Sequence, residues 1–429
     1  MDPILVTYVY RTIYNCSVTS PPTDLTSVRH RSVTPGLLVV LALLSAIAPF
    51  ATDLYLPSFP QMTSELSASA TEVQLSLTAF LVGVAVGQLI FGPLSDRFGR
   101  MRPLVIGAVV CLLASVVTAL APTIGVLVAA RLVQGCAGAA GMVIGRAVIS
   151  DLARGVAAAR AFSLMMIVGG VAPIIAPLLG SVFSTTIGWR GSMWFITALV
   201  LVMLVSVLVV VRETHTAERR AAAREARTGG GAIRELAQRA FIGNVVAFAF
   251  GFAVMMAYIS ASPFVYQTMI GLTPVQYAIA FGINAIGLVS VSALSARLAR
   301  TVPVQRLLGI GLALILVATL ALLALVLTSA PLWLLALPIF VAVASLGLVM
   351  GNATAGALSA VRTTAGLGSA LLGALQFGVG ALVSPLVSVA GETSALPLAV
   401  IMATCAVIAT LGYLAARPRT PRTGAAARP

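Results

Sequence analysis

The chain contains no lysine. All 26 of its basic residues are arginine. A Walker A phosphate loop needs its lysine, so the chain is not a P-loop ATPase by itself. Histidine is nearly absent too, and the two present, His30 and His215, fall in expected loops. That argues against a haem or metal held by histidine within an apolar segment. The four cysteines, Cys16, Cys111, Cys136 and Cys405, are scattered without metal or redox spacing. Three fall in apolar runs and read as small buried side chains. Charge itself is scarce. Charged residues make up 9% of the chain, against about 25% in soluble domains, which excludes an ordinary soluble globular protein.

What fills the chain instead is apolar sequence, 59% of 429 residues. Runs of bilayer-spanning length, about 20 residues, recur from Gly36 to Ala416. They are continuous and not alternating, which excludes a β-barrel. The expected fold is an all-α membrane protein with twelve transmembrane helices in two six-helix bundles. Length and breakers place the first six spans at 36–59, 73–94, 103–121, 124–150, 161–183 and 192–211. The second six fall at 241–268, 275–297, 304–328, 331–358, 367–390 and 395–416. This divides the chain into an N-terminal tail (1–35), an N-terminal bundle (36–211), a linker (212–240), a C-terminal bundle (241–416) and a C-terminal tail (417–429). The linker carries Arg219, Arg220, Arg224, Arg227, Arg234 and Arg239 against Glu213, Glu218, Glu225 and Glu235. It reads as a solvated connection, with an amphipathic surface helix as the alternative. The short apolar start, Ile4 to Tyr14, carries Arg11 and no clean cleavage site, so it is not read as a signal peptide.

The net charge of +14 is a topology signal and not a nucleic-acid footprint, because the arginines cluster in alternate loops. Arg97, Arg100 and Arg102 lie between spans 2 and 3, and Arg154 and Arg160 between spans 4 and 5. Arg297, Arg300 and Arg306 surround the 8–9 loop, Arg362 follows span 10, and Arg417, Arg419 and Arg422 follow span 12. The intervening loops carry Glu65, Glu72, Glu392 and a single basic residue, Arg190. The expected topology is an inner-membrane protein with both termini cytoplasmic. Two sets of six around a polar linker suggest duplication, with a central site where the halves meet.

Two charges sit inside spans. Asp53 is the only acidic residue in its run, and a mid-membrane aspartate costs about 2.5–3.5 kcal/mol to insert. Arg131 lies in span 4. Counted from the outer ends of their spans, both sit roughly 10 Å deep at about 1.5 Å per residue. Opposite charges at one depth are expected to pair. Burial disfavours the carboxylate's charge and a nearby guanidinium favours it, so a balanced Asp53 can load and release a proton. A static pair that fixes packing is the alternative. Arg146, nearer the inner end of span 4, either lines the cavity or snorkels to the interface. Span 5 carries Gly169, Gly170, Pro173, Pro177 and Gly180, which suit a hinge or close packing. Candidate substrate-lining groups are Tyr55, Gln134, Met142, Arg146, Tyr258, Phe264, Tyr266, Asn284, Asn352 and Gln376. An aromatic, methionine-bearing cavity with few charges suits amphiphilic compounds.

The 2–3 loop reads Gly92-Pro93-Leu94-Ser95-Asp96-Arg97-Phe98-Gly99-Arg100-Met101. Its glycines permit a tight turn, and Asp96, Arg97, Arg100 and Asp151 are candidates for a local charge network. This loop resembles the signature loop of the major facilitator superfamily at Gly92, Leu94, Asp96, Arg97, Gly99 and Arg100, and departs at Met101. Asp53-Leu54-Tyr55-Leu56-Pro57 resembles the first-span signature of the Bcr/CflA branch, the bicyclomycin- and chloramphenicol-type drug:proton antiporters. Arg131-Leu132-Val133-Gln134-Gly135 resembles the span-4 motif of proton-coupled members. Residues 172–180 resemble the span-5 antiporter motif, departing at Ala176 and, just beyond, at Ser181. Gly188-Trp189-Arg190, Glu213-Thr214 and Ser262-Pro263-Phe264-Val265-Tyr266 also look like this branch. The resemblance implies alternating access and proton-driven export, with Asp53 and Arg131 in proton coupling, the 92–100 loop and Asp151 in gating, and Gly169, Pro173, Pro177 and Gly180 as the antiporter motif. A proton symporter for a small metabolite on the same fold is the alternative. The implied partners are a drug-like small molecule, protons and the bilayer, for a monomer with no cofactor and no metal. With no nucleophile–base pair, metal cluster or nucleotide loop, the chain is not read as an enzyme.

Overall fold

The computed structural model describes residues 34–152, 155–214, 235–361, 365–389, 391 and 393–417, by backbone alone at 35, 155–164, 166–170 and 365–366. The N-terminal tail to residue 33, most of the linker, Arg154, Arg362, Glu392, Arg419 and Arg422 lie outside the described residues, as does the side chain of Arg160.

The helices are α1 (Pro35–Asp53), α2 (Ala70–Phe98), α3 (Met101–Ala119), α4 (Ile124–Leu152), α5 (Gly155–Thr186) and α6 (Gly188–Val210), then α7 (Arg239–Pro263), α8 (Pro274–Leu298), α9 (Val304–Leu327), α10 (Ala336–Ser359), α11 (Ala365–Val383) and α12 (Leu396–Ala416). Among the described residues, eleven helices are long and apolar enough to cross a membrane, and the Val171–Thr186 part of α5 is a shorter apolar helix. No strand is present among them. Apolar residues such as Leu113, Val209, Val317 and Leu411 stand exposed on α3, α6, α9 and α12. With no protein to cover them, the solvent that suits these faces is lipid.

Local chemistry explains where the helices begin and end. Thr34 caps α1 by accepting from the Leu37 N–H, with Pro35 at the first position. Ser69 and Glu72 form a capping box at the start of α2, and Thr273 and Gln276 form another at α8. Glu72 is therefore part of the helix and not of the loop. α1 stops at Asp53, six residues short of the expected span end. Pro57 has no N–H for the Asp53 carbonyl and its ring crowds that oxygen, so the chain turns through a 3₁₀ segment, Leu56–Ser58, into a short helix, Phe59–Glu65. α2 runs on through Gly92 and Pro93 to Phe98. The expected 2–3 loop thus shrinks to Gly99 and Arg100, and Gly99 takes the left-handed φ of 90° that closes it.

Helices α1–α6 pack as one half and α7–α12 as the other. The halves meet along α2 with α11 and along α5 with α8. Counting six helices on, α8 repeats α2 and α11 repeats α5, so these are one contact used twice. The near end is taken here as the one where α1 begins and α12 finishes, and the far end as its opposite.

Candidate functional site

α7 is the counterpart of α1, and it breaks at the corresponding place. It ends at Pro263 and continues as a π-helical turn, Phe264–Met269. Interrupted helices in matching positions of two repeats mark a binding site. The two breaks touch. Gln267 donates to the Pro57 carbonyl at 3.2 Å, and the Phe59 and Phe264 rings lie 6.1 Å apart.

Asp53 sits at the first of these breaks, 2% exposed, with Oδ1 buried and without a hydrogen-bond partner. It lies within electrostatic reach of the Tyr258 and Tyr277 phenols of the other half. Those phenols belong to an aromatic cluster on α7 and α8. Tyr258 stacks on Phe281 at 5.5 Å, and Tyr277 packs against Tyr266 at 6.2 Å and Phe281 at 6.0 Å. Asn284 donates to the Tyr258 hydroxyl at 2.8 Å, and Ser262 pairs with the Tyr277 hydroxyl at 3.0 Å.

Arg131 does not pair with Asp53, contrary to the expectation from depth. Its Nη2 donates to the Ala51 carbonyl at 2.7 Å and to the Tyr55 hydroxyl at 3.3 Å, and its Nη1 to Gln134 at 2.7 Å. The guanidinium lies over the Phe80 ring at 4.3 Å and the Tyr55 ring at 4.8 Å. Ala51 lies on the side of α1 that meets α4, and Tyr55, four residues on in the turn just past the helix, reaches the same guanidinium. Asp53, two residues after Ala51, is turned by roughly 200° at 3.6 residues per turn. Equal depth placed the two charges at one level, and helical rotation placed them on opposite faces. The network continues from Tyr55 to Ser76 at 3.1 Å and from Gln134 to Ser115 at 2.7 Å. It therefore joins α1, α2, α3 and α4 within one half.

The charge network expected at the 2–3 turn is present in part. Arg100 binds Asp96 at 2.7 Å, Asp151 at 3.0 Å and Ser95 at 2.8 Å. Burial works against its charge, yet Asp151 and Asp96 outweigh that and hold the guanidinium above its ordinary range. Arg97 stays outside this network, exposed above the Phe98 ring. Two groups join that spacing did not single out. Glu213 accepts from the Arg100 and Met101 N–H groups at 2.9 and 3.1 Å, capping α3, and Thr214 donates to Asp151 at 2.9 Å. Gly92 lies inside α2 with open space beside it and takes no part in the turn.

In α5, Pro177 is buried, Pro173 half-buried, and Gly180 meets α1 closely; the surroundings of Gly169 and Gly170 lie outside the described residues. Of the lining candidates, Tyr258, Tyr266 and Asn284 belong to the aromatic cluster on α7 and α8, and the Phe264 ring lies against Phe59. Tyr55 and Gln134 belong to the Arg131 network. Met142 and Arg146 are half-buried on α4, where the Arg146 Nε donates to the Met142 carbonyl at 3.0 Å. Asn352 donates to Ser295 at 2.9 Å and so ties α10 to α8. Gln376 is half-buried on α11. Tyr277 and Phe281 were missed, and their four-residue spacing on the expected eighth span was the available signal.

Residues 41–385 match the family profile described as Major Facilitator Superfamily. An uncharacterized MFS-type transporter, YdgK, of Bacillus subtilis is 36% identical over 88% of this chain and 94% of its own length. A bicyclomycin resistance protein homolog of Haemophilus influenzae is 30% identical, covering 88% of this chain and 94% of that protein. Among solved structures, the D-xylose–proton symporter superposes with a TM-score of 0.69 at 17% identity, over 88% of this chain and 96% of that one. At that identity the likeness speaks for the fold alone.

Proposed function

Since the chain belongs to the major facilitator superfamily of membrane transporters, we propose that it is a proton-coupled exporter of small amphiphilic compounds of the bicyclomycin and chloramphenicol type. The relative named for bicyclomycin resistance supports the substrate class. The observation that carries the mechanism is Asp53. It is a buried carboxyl with an unpartnered oxygen, at the meeting of two broken helices, within electrostatic reach of the tyrosines of the opposite half. An unpaired carboxylate finds no counter-charge inside a bilayer. A proton supplies one while the site is closed, and water supplies solvation when it opens. Proton and substrate then exclude each other at the site between Asp53 and the Tyr258, Tyr266 and Asn284 cluster, and inward proton flow contributes about 2.3 kcal/mol per charge per 100 mV.

Arg131 acts on this reading by holding the face of α1 opposite Asp53. The Arg100, Asp96 and Asp151 network with Glu213 clamps the near end of the N-terminal half, while Gly180, Pro173 and Pro177 set how α5 crosses α1. The arginines at the near end favour a cytoplasmic location for both termini in a bacterial inner membrane, and the protein is read as a monomer.

The test is Asp53→Asn in proteoliposomes with an imposed pH gradient. Uphill export should fall at least tenfold while the protein still inserts and folds. Export at the unmodified rate would remove Asp53 from the proton path. The departures from the span-5 motif at Ala176 and Ser181 favour a second reading, a proton symporter. Vesicles of known sidedness separate the two, because antiport acidifies the compartment that loses substrate and symport alkalinises it.

A further inference from the structure

Among the described residues, the hydrogen bonds that join the two halves all lie at the far end, and most of them involve Thr71 or Gln74 of α2. Gln74 is fully buried. Its Nε2 donates to the Ser260 carbonyl on α7 at 2.8 Å, and its Oε1 accepts from the Ser388 hydroxyl, just past α11, at 2.5 Å. Thr71, one turn earlier, donates to the Ser388 carbonyl at 3.1 Å. The Ser260 hydroxyl pairs with Ser384 at 2.6 Å. A narrow cleft runs beside these bonds, lined by Gln74, Ala261, Phe264, Val387, Ser388 and Leu398.

Fourteen residues further along α2, roughly 21 Å at 1.5 Å per residue, Gln88 presents the opposite case. It is 1% exposed, and neither its Oε1 nor its Nε2 has a partner. It occupies the notch left by Gly373 on α11, where a Cβ would lie 2.1 Å from its Oε1. One seam between the halves therefore holds one amide satisfied at both atoms and one satisfied at neither. Burying an unpartnered amide disfavours this arrangement. The bonds at the far end favour it. A two-state element biased from both sides is what a conformational switch requires.

We propose that Gln74, Ser388 and Ser260 form a latch between α2, α11 and α7 that holds the far end closed, and that its release opens the site to that side. The unmet Gln88 amide keeps the latch from being too strong to release. Transport gives the opening its purpose, but the latch itself can be read without any substrate.

The test uses the full chain in membranes, with its four native cysteines replaced by alanine and Ala261→Cys as reporter. Ala261 is 4% exposed and adjoins Ser260. Labelling by a membrane-impermeant maleimide, applied from the far-end side and read at residue 261 by peptide mass spectrometry, measures opening. Gln74→Ala and Ser388→Ala should each raise the labelling rate about fivefold to tenfold, the loss of one or two neutral hydrogen bonds. Gln88→Met, which removes the unmet amide, should lower it. Oxidation of a Thr71→Cys/Ser388→Cys pair should suppress labelling, and a reductant should restore it. Unchanged rates in the Gln74 and Ser388 variants, at normal abundance in the membrane, would overturn the latch. So would undiminished labelling of the oxidised pair. Should Gln74→Ala fail to accumulate, the Ser388→Ala rate decides alone. Absence of drug export by the unmodified chain, beside the expected labelling pattern, would refute the exporter reading and leave the latch standing.

Discussion

Gly180 of α5 crosses α1 at the residue after Asp53, and the consequence of adding one methyl group there can be worked out. A Cβ on Gly180 would lie 1.7 Å from the Leu54 carbonyl oxygen, 2.8 Å from its carbon and 3.4 Å from its Cα. A carbon and a carbonyl oxygen come no closer than about 3.3 Å without strain. Every clashing atom is backbone, so no rotamer change relieves the overlap, and α1 and α5 must part by roughly 1.5 Å. Overpacking of this kind costs about 1–3 kcal/mol. The displacement begins at Leu54 and so shifts its neighbour Asp53 relative to Tyr258 and Tyr277. Gly92 provides the control. It too is a helical glycine, but no atom lies within 4 Å of where its Cβ would be. There alanine should be neutral or stabilising by about 0.5–1 kcal/mol, because it restricts the unfolded chain. The assay is thermal unfolding of both purified variants in detergent, followed by transport in proteoliposomes. Gly180→Ala should unfold at a lower temperature than the parent and lose more than tenfold in transport. Gly92→Ala should match the parent or exceed it in stability. Parental stability and transport for Gly180→Ala would refute the reasoning, as would finding Gly92→Ala the more damaging of the two.

Two further stability predictions follow from the charges. Arg131→Lys keeps a buried cation but loses the fork that serves Ala51, Tyr55 and Gln134 together, and should cost about 2–4 kcal/mol; Arg131→Met removes the charge along with the fork and should be the more stable variant in a thermal melt, because no buried ion is stranded. At the near end, Asp151 is 15% exposed and Asp96 48%, so Asp151→Asn should cost about 1.5–3 kcal/mol and Asp96→Asn under about 1 kcal/mol; equal losses would show that burial does not set the strength of these two contacts.

Much of the near-end network was legible in sequence because it is local. Asp96 and Arg100 are one helical turn apart, and the glycine that closes the turn between α2 and α3 stands between them. Glu213 was harder, since it reaches the Arg100 and Met101 N–H groups from the end of α6, and nothing in the spacing of a lone glutamate announces a helix cap 113 residues away. The ending of α1 could have been read from Pro57, whose missing N–H leaves the Asp53 carbonyl without its helical partner. The Asp53–Arg131 pair failed for a different reason. Residue counting along two spans measures depth, and it says nothing of which way each side chain turns around its own helix axis.

Class and span number followed from the amino-acid order itself, because a bilayer demands apolar runs of a set length and makes every charge within them stand out. The choice of Asp53 as the residue to examine came from that same cost. Which groups answer it was decided only when helices far apart in the chain came together: Tyr258 and Tyr277 opposite Asp53, Ser388 against Gln74 across 314 residues, Gly180 against Leu54. Such contacts depend on the rotation and crossing of packed helices. Hydrophobic length, the strongest signal in a membrane sequence, is blind to both.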